Sequence, residues 1–161
     1  MLITKNINKL FFICCIVLFT SAYGQKTPVY KINDLLKRIH NTSDTIYVVN
    51  FWATWCKPCV AELPEFEKIH KEFENRKMKV LLVSMDFVEE RDKKLKDFLA
   101  KNKYTCEVVL LDEINGNDFI NKISEQWSGA IPATYIVKNK WKDQFFEGKM
   151  TYEMLEKIIE E

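Results

Sequence analysis

Glycine and proline are scarce in this chain, four of each among 161 residues. Their scarcity excludes a collagen-like or Pro/Gly-rich low-complexity polymer. Histidine is scarcer still, and the two present, His40 and His70, have no spacing that suggests a metal site. A four-ligand zinc centre would have to recruit them and Cys106 from scattered positions around a single Cys-x-x-Cys. An excess of one charge is also missing: 24 basic against 23 acidic residues leave +1. No basic field for nucleic-acid phosphates results. Five cysteines are too few for a disulfide-scaffold protein. What remains is 47% hydrophobic and 29% charged residues, enough for about one domain with a real core.

The longest apolar run near the start, residues 10–19, is half the length of about 20 residues that a membrane span needs. Lys5 and Lys9 precede it, and Ala22-Tyr23-Gly24 places small residues two apart behind it. This is the order of a secretory signal peptide, with the cut expected after Gly24 and an uncleaved N-terminal anchor as the alternative. Cys14 and Cys15 read as apolar filler of that segment. The chain after residue 24 keeps Cys56, Cys59 and Cys106. The reading is export to a periplasmic or other extracytoplasmic space, where disulfides persist.

Ile32, Leu35, Leu36 and Ile39 recur at helical spacing and predict a short helix over 31–39, broken by Asn41-Thr42-Ser43-Asp44. Residues 45–52 are β-branched and aromatic, as in a strand covered on both faces. A helix from Cys59 to about Asn75, with Pro64 expected to kink it, precedes a second buried strand over 79–85. A helix within 89–102, a strand at 107–111 and a helix at 118–126 follow. Strands at 133–138 and 144–147, joined by a five-residue turn, lead to a final helix capped by Thr151. The order β-α-β, α-β-α, β-β-α argues one α/β domain with a mixed sheet flanked by helices. The predicted organisation is a signal peptide at 1–24, an N-terminal helix and linker at 25–44, and the domain at 45–161.

Trp55-Cys56-Lys57-Pro58-Cys59 follows a buried strand and opens a helix. Two intervening residues let both sulfurs meet across the first turn. The first sulfur then sits where unpaired N–H groups and the positive end of the helix dipole favour a thiolate. Such settings lower a thiol pKa from about 8.5 to roughly 3.5–7.5. Cys56 is therefore the expected nucleophile and Cys59 the resolving thiol. An inert disulfide or half a zinc site is the competing structural reading.

The segment Val49-Asn50-Phe51-Trp52-Ala53-Thr54-Trp55-Cys56-Lys57-Pro58-Cys59, followed by Ala61-Glu62-Leu63-Pro64, resembles the active-site stretch of exported thioredoxin-like reductases of the TlpA/ResA type. Ile131-Pro132-Ala133-Thr134 resembles the family's cis-proline loop, and Phe146-Glu147-Gly148-Lys149 its last strand. The resemblance implies a thioredoxin fold with an α-β-α insertion before the cis-proline loop. It also implies a redox disulfide between Cys56 and Cys59, a cis bond before Pro132, and no cofactor or metal. Trp55, Lys57, Pro58, Ile131 and Pro132 become the substrate-facing set, the Ile131 backbone being left to pair with an extended chain. Two departures stand out: the usual hairpin before the first core strand gives way to the helix at 31–39, and Lys57 replaces the common Gly or Glu.

Glu62 lies three residues after Cys59, so one helical turn away. It is either a solvated helix residue or a proton relay to Cys59. Asn50 stands where thioredoxins proper carry a buried Asp, which tilts the balance to Glu62. Cys106 is expected to be a lone buried thiol, and Trp127 and Trp141 either packing or partner-facing residues. The functional reading is an exported reductase of protein disulfides, monomeric, fed by a membrane thiol electron donor. A disulfide oxidase or isomerase is the alternative, as is a copper- or zinc-binding module. A peroxidase is disfavoured because Trp55 directly precedes Cys56 and Ala53, not a Thr, stands three residues before it.

Overall fold

A computed structural model describes residues 26–41, 44–138 and 143–161. The signal segment expected at 1–24, Trp141 and most of the turn at 139–143 lie outside the described residues. The elements run β1 (Val29–Tyr30), α1 (Ile32–His40), β2 (Ile46–Trp52), α2 (Lys57–Glu72), β3 (Met78–Ser84), α3 (Lys96–Asn102), β4 (Glu107–Leu111), α4 (Ile120–Ile123), β5 (Ala133–Val137), β6 (Gln144–Glu147) and α5 (Tyr152–Glu160). They form one sheet of order β1-β4-β3-β2-β5-β6. The β1/β4, β4/β3 and β3/β2 pairs are parallel, and the β2/β5 and β5/β6 pairs antiparallel.

Successive side chains of β2 point to opposite faces of the sheet, and both faces are covered, so the strand is buried almost throughout. Val48 and Trp52 point into the layer built with α2 and α5. Tyr47, Val49 and Phe51 point into the layer that holds Ile32, Leu35 and Ile39 of α1. Asn50 shares the first face and is fully buried. The N-terminal stretch expected as a helix and linker is thus a helix pressed onto the sheet. It also supplies β1, an edge strand that the sequence reading lacked, in register with Leu110 and Leu111.

Two predicted helices come out shorter. Over 89–102 only Lys96–Asn102 is α-helical, behind a 3-10 turn at Val88–Glu90 and a π turn at Arg91–Leu95. The helix expected at 118–126 splits into a 3-10 turn, Gly116–Asp118, and Ile120–Ile123. Ser124 stops it: its Oγ accepts from Gln126 N at 3.1 Å, drawing the backbone into a side-chain turn instead of a further helical bond.

Candidate active site

β2 ends at Trp52, and the chain crosses Ala53, Thr54 and Trp55 before α2 begins. Cys56 is the N-cap of α2, with extended backbone (φ −87°, ψ 96°), and Pro58 occupies the first turn, where a missing N–H costs nothing. The helix therefore starts earlier than the periodicity from Cys59 suggested. Cys56 and Cys59 are disulfide-bonded with Cα atoms 5.3 Å apart. Cys59 N donates to Cys56 Sγ at 3.3 Å, so the helix N-terminus directs an N–H at that sulfur, a setting that favours negative charge there. Cys59 is fully buried, whereas Cys56 keeps 6% of its surface and its neighbours Trp55, Lys57 and Pro58 are exposed.

The Ile131–Pro132 bond is cis. It turns the chain so that the Ile131 carbonyl oxygen lies 3.7 Å from Cys56 Sγ. Pro132 itself is buried, and its carbonyl accepts from Gly148 N at 2.8 Å, which ties the loop to the end of β6. Gly148 has φ +107°, a conformation glycine adopts without strain. The dithiol, the cis-proline loop and the segment after β6 thus meet at one end of the sheet.

Glu62 is not a solvated helix residue: it is 1% exposed and lies on the same buried face of α2 as Cys59. Its Oε1 accepts from Asn50 Nδ2 at 2.8 Å and its Oε2 from Met150 N at 2.7 Å. Burial pushes its pKa up from the ordinary 4.5, against the opposing pull of these two bonds and of Lys149. Asn50 also reaches Thr134 Oγ1 at 3.3 Å, so β2, α2 and β5 share one polar contact behind the dithiol. Its Oδ1 has no hydrogen-bond partner among the described residues.

Cys106 is a buried free thiol beside Phe66, its Sγ 3.6 Å from that carbonyl oxygen, and burial pushes its pKa up. Trp127 is also buried, with Nε1 donating to Ala130 O at 2.8 Å, so packing is its role.

Sequence reasoning missed Asp86. This carboxylate, 4% exposed, accepts from Thr54 N at 3.1 and 3.2 Å, from Thr54 Oγ1 at 2.6 Å and from Ser84 Oγ at 2.7 Å. Met85 N adds a bond to Trp52 O at 2.7 Å. The loop leaving β3 is thereby fastened to the loop that carries Cys56. A Ser and an Asp directly behind a buried apolar strand were the available signal.

A disulfide at a helix N-cap, a cis-proline carbonyl against its outer sulfur and a buried carboxyl one helical turn beyond its inner cysteine make a site for thiol–disulfide exchange. The profile of the AhpC/TSA family matches residues 24–142. The chain belongs to that family. It is 30% identical over 141 residues to the thioredoxin-like protein YneN of Bacillus subtilis (strain 168), a match covering 85% of this chain and 78% of that protein. Thiol-disulfide oxidoreductase ResA of Geobacillus kaustophilus (strain HTA426) is 27% identical over 144 residues, covering 86% and 77%. The crystal structure of StoA from Bacillus subtilis superposes with a TM-score of 0.56 at 24% identity, over 72% of this chain and 83% of that one. The fold is a thioredoxin fold.

Proposed function

We propose that this chain, a thiol–disulfide oxidoreductase, reduces protein disulfides in an extracytoplasmic space. The observation that carries the reading is the unequal setting of the two sulfurs. Cys56 stands at the helix N-cap against the Ile131 carbonyl, and Cys59 is buried behind it. In the reduced protein the Cys56 thiolate attacks one sulfur of a substrate disulfide. A Cys56–substrate disulfide forms and the other substrate sulfur leaves as a thiolate. Cys59, deprotonated by Glu62, then attacks Cys56 Sγ. The substrate departs as a dithiol, and the enzyme holds the two-electron oxidised Cys56–Cys59 disulfide. The proton taken from Cys59 rests on Glu62 and passes to the substrate thiolate released last, while the one released first takes its proton from water. A thiol donor at the membrane regenerates the dithiol, and the protein acts as a monomer.

Trp55, Lys57 and Pro58 surround the outer sulfur, and Ile131 offers backbone to an extended substrate across the cis-Pro132 bend. The N-terminal order of lysines, apolar run and small residues supports export. Direction is tested by equilibrating the dithiol against glutathione. A reduction potential near the roughly −270 mV of thioredoxin is expected, and one near about −120 mV would make the protein an oxidase.

A further inference from the structure

Among the described residues the large exposed hydrophobic side chains are Val29, Trp55, Phe87, Ile114 and Met154. Trp55, Phe87 and Ile114 belong to one end of the sheet. Trp55 and Phe87 each stand one residue, about 3.8 Å of chain, beyond the two halves of the Thr54–Asp86 bond, so that bond fixes their neighbourhood. Phe87 (72% exposed) and Ile114 (99% exposed) line a single groove of about 230 Å³. Its apolar walls are completed by Met85, Val88 and Leu111. The groove therefore lies at the carboxyl ends of β3 and β4 and adjoins the loop of Cys56 through the Thr54–Asp86 bond.

Its charged lining is of one sign: Asp86, Glu89, Asp112 and Glu113, with no cation among the lining residues. Asp86 is consumed by the loop clamp. Asp112 meets Lys31 at 3.0 Å, and Glu113 Oε1 accepts from Ile32 N at 2.8 Å. Glu89 is exposed. An apolar trough with acidic edges suits an aliphatic side chain followed by a basic one.

We infer that this groove is a subsite for the substrate polypeptide, seating an aliphatic residue with a neighbouring Lys or Arg near the substrate's reactive cysteine. The inference rests on the thiol-exchange reading for the position of that cysteine at Cys56. Exposed aromatic and aliphatic side chains gathered on one rim are the mark of an interaction surface, whereas scattered ones are ordinary. The clamp gives the subsite a fixed position relative to the attacking sulfur, which a free loop would not.

The test separates docking from catalysis. The full chain in its disulfide form is titrated calorimetrically with two peptides in which Ser replaces the reactive Cys. One carries Leu-Lys and the other Ser-Lys at the flanking positions. The Leu-Lys peptide should bind about tenfold more tightly or better, the range in which a single apolar pocket discriminates. Phe87→Ser with Ile114→Ser should remove the preference. Both side chains are exposed, so the fold does not depend on them, and a circular-dichroism melt checks this. Equal affinities in the unmodified protein, or a preference that survives the double variant, would overturn the subsite. So would a groove-dependent self-association seen by sedimentation without any peptide preference, which would make a second copy the occupant. Stoichiometric oxidation of the reduced, unmodified protein by glutathione disulfide, abolished in Cys56→Ala, tests the exchange reading separately.

Discussion

At the scale of single residues the site turns on a carboxyl group without an ion pair among the described residues. Glu62 has two hydrogen-bond donors and no salt-bridge partner among the described residues, so desolvation governs it and its pKa rises. The native state then keeps a proton that the unfolded chain has already released. Stability should fall as pH rises from about 4.5 through the folded value. Glu62→Gln cannot ionise and should lose that part of the slope, which urea midpoints at about pH 5 and pH 8 would reveal. The same variant should slow resolution of the mixed disulfide by about 10²-fold, as loss of a general base does. Unchanged resolution across that pH range would leave Glu62 only a structural role. Spacing alone placed Glu62 a turn from Cys59 but left its exposure open. Burial is decided by α5 and the Lys149–Met150 segment, which are nearly ninety residues distant in sequence.

At the scale of elements, Glu67 ties the segment leading into β4 to α2. Glu67 of α2 accepts from Thr105 N at 2.9 Å, Thr105 Oγ1 at 2.5 Å and Cys106 N at 3.2 Å, and pairs with Lys71 at 3.0 Å. Burial opposes ionisation, but these bonds outweigh it and bring the carboxyl down to about 2. A lowered acid contributes its stability above its unfolded value, and the contribution disappears as pH falls from about 4.5 to about 2. Glu67→Gln should therefore destabilise the protein at pH 7 by at most about 3 kcal/mol and by much less near pH 2, read from denaturant curves. An equal loss at both pH values would mean that packing, not charge, is at stake. The strands were legible as unbroken β-branched or alternating runs, and those at 107–111 and 144–147 fall where the pattern put them. The helices of the insertion were less legible. The turns at Val88–Glu90, Arg91–Leu95 and Gly116–Asp118 bury only Leu95 among them, and the last follows a local side-chain bond, Asn115 Oδ1 accepting from Asn117 N. Periodicity does not report such bonds.

For the whole molecule, the position of the dithiol was readable because a Cys-x-x-Cys behind a buried strand fixes sheet end and helix start together. The edge strand β1 was not, since two residues leave no periodic trace, whereas α1 was legible in the helical spacing of Ile32, Leu35 and Ile39. Ile32, Leu35 and Ile39 are at most 2% exposed and pack against β2, β3 and β4. Removing residues 26–44 would strip three aliphatic side chains worth about 1.5–3 kcal/mol each from the core. The loss is comparable to a typical domain's total stability of about 5–15 kcal/mol. A chain beginning at residue 45 should show no cooperative thermal transition, and an unchanged melt would make α1 an accessory.

The ordering of the two thiols is the centre of the account, and trapping reads it directly. In Cys59→Ala nothing can attack the Cys56–substrate bond, so mixed disulfides should accumulate, resolved by non-reducing electrophoresis and identified by mass spectrometry. Cys56→Ala should trap little, because Cys59 is fully buried. Adducts in the first variant and their near absence in the second are the predicted result. Equal trapping by both, or trapping only through Cys59, would contradict the assignment of nucleophile and resolving thiol.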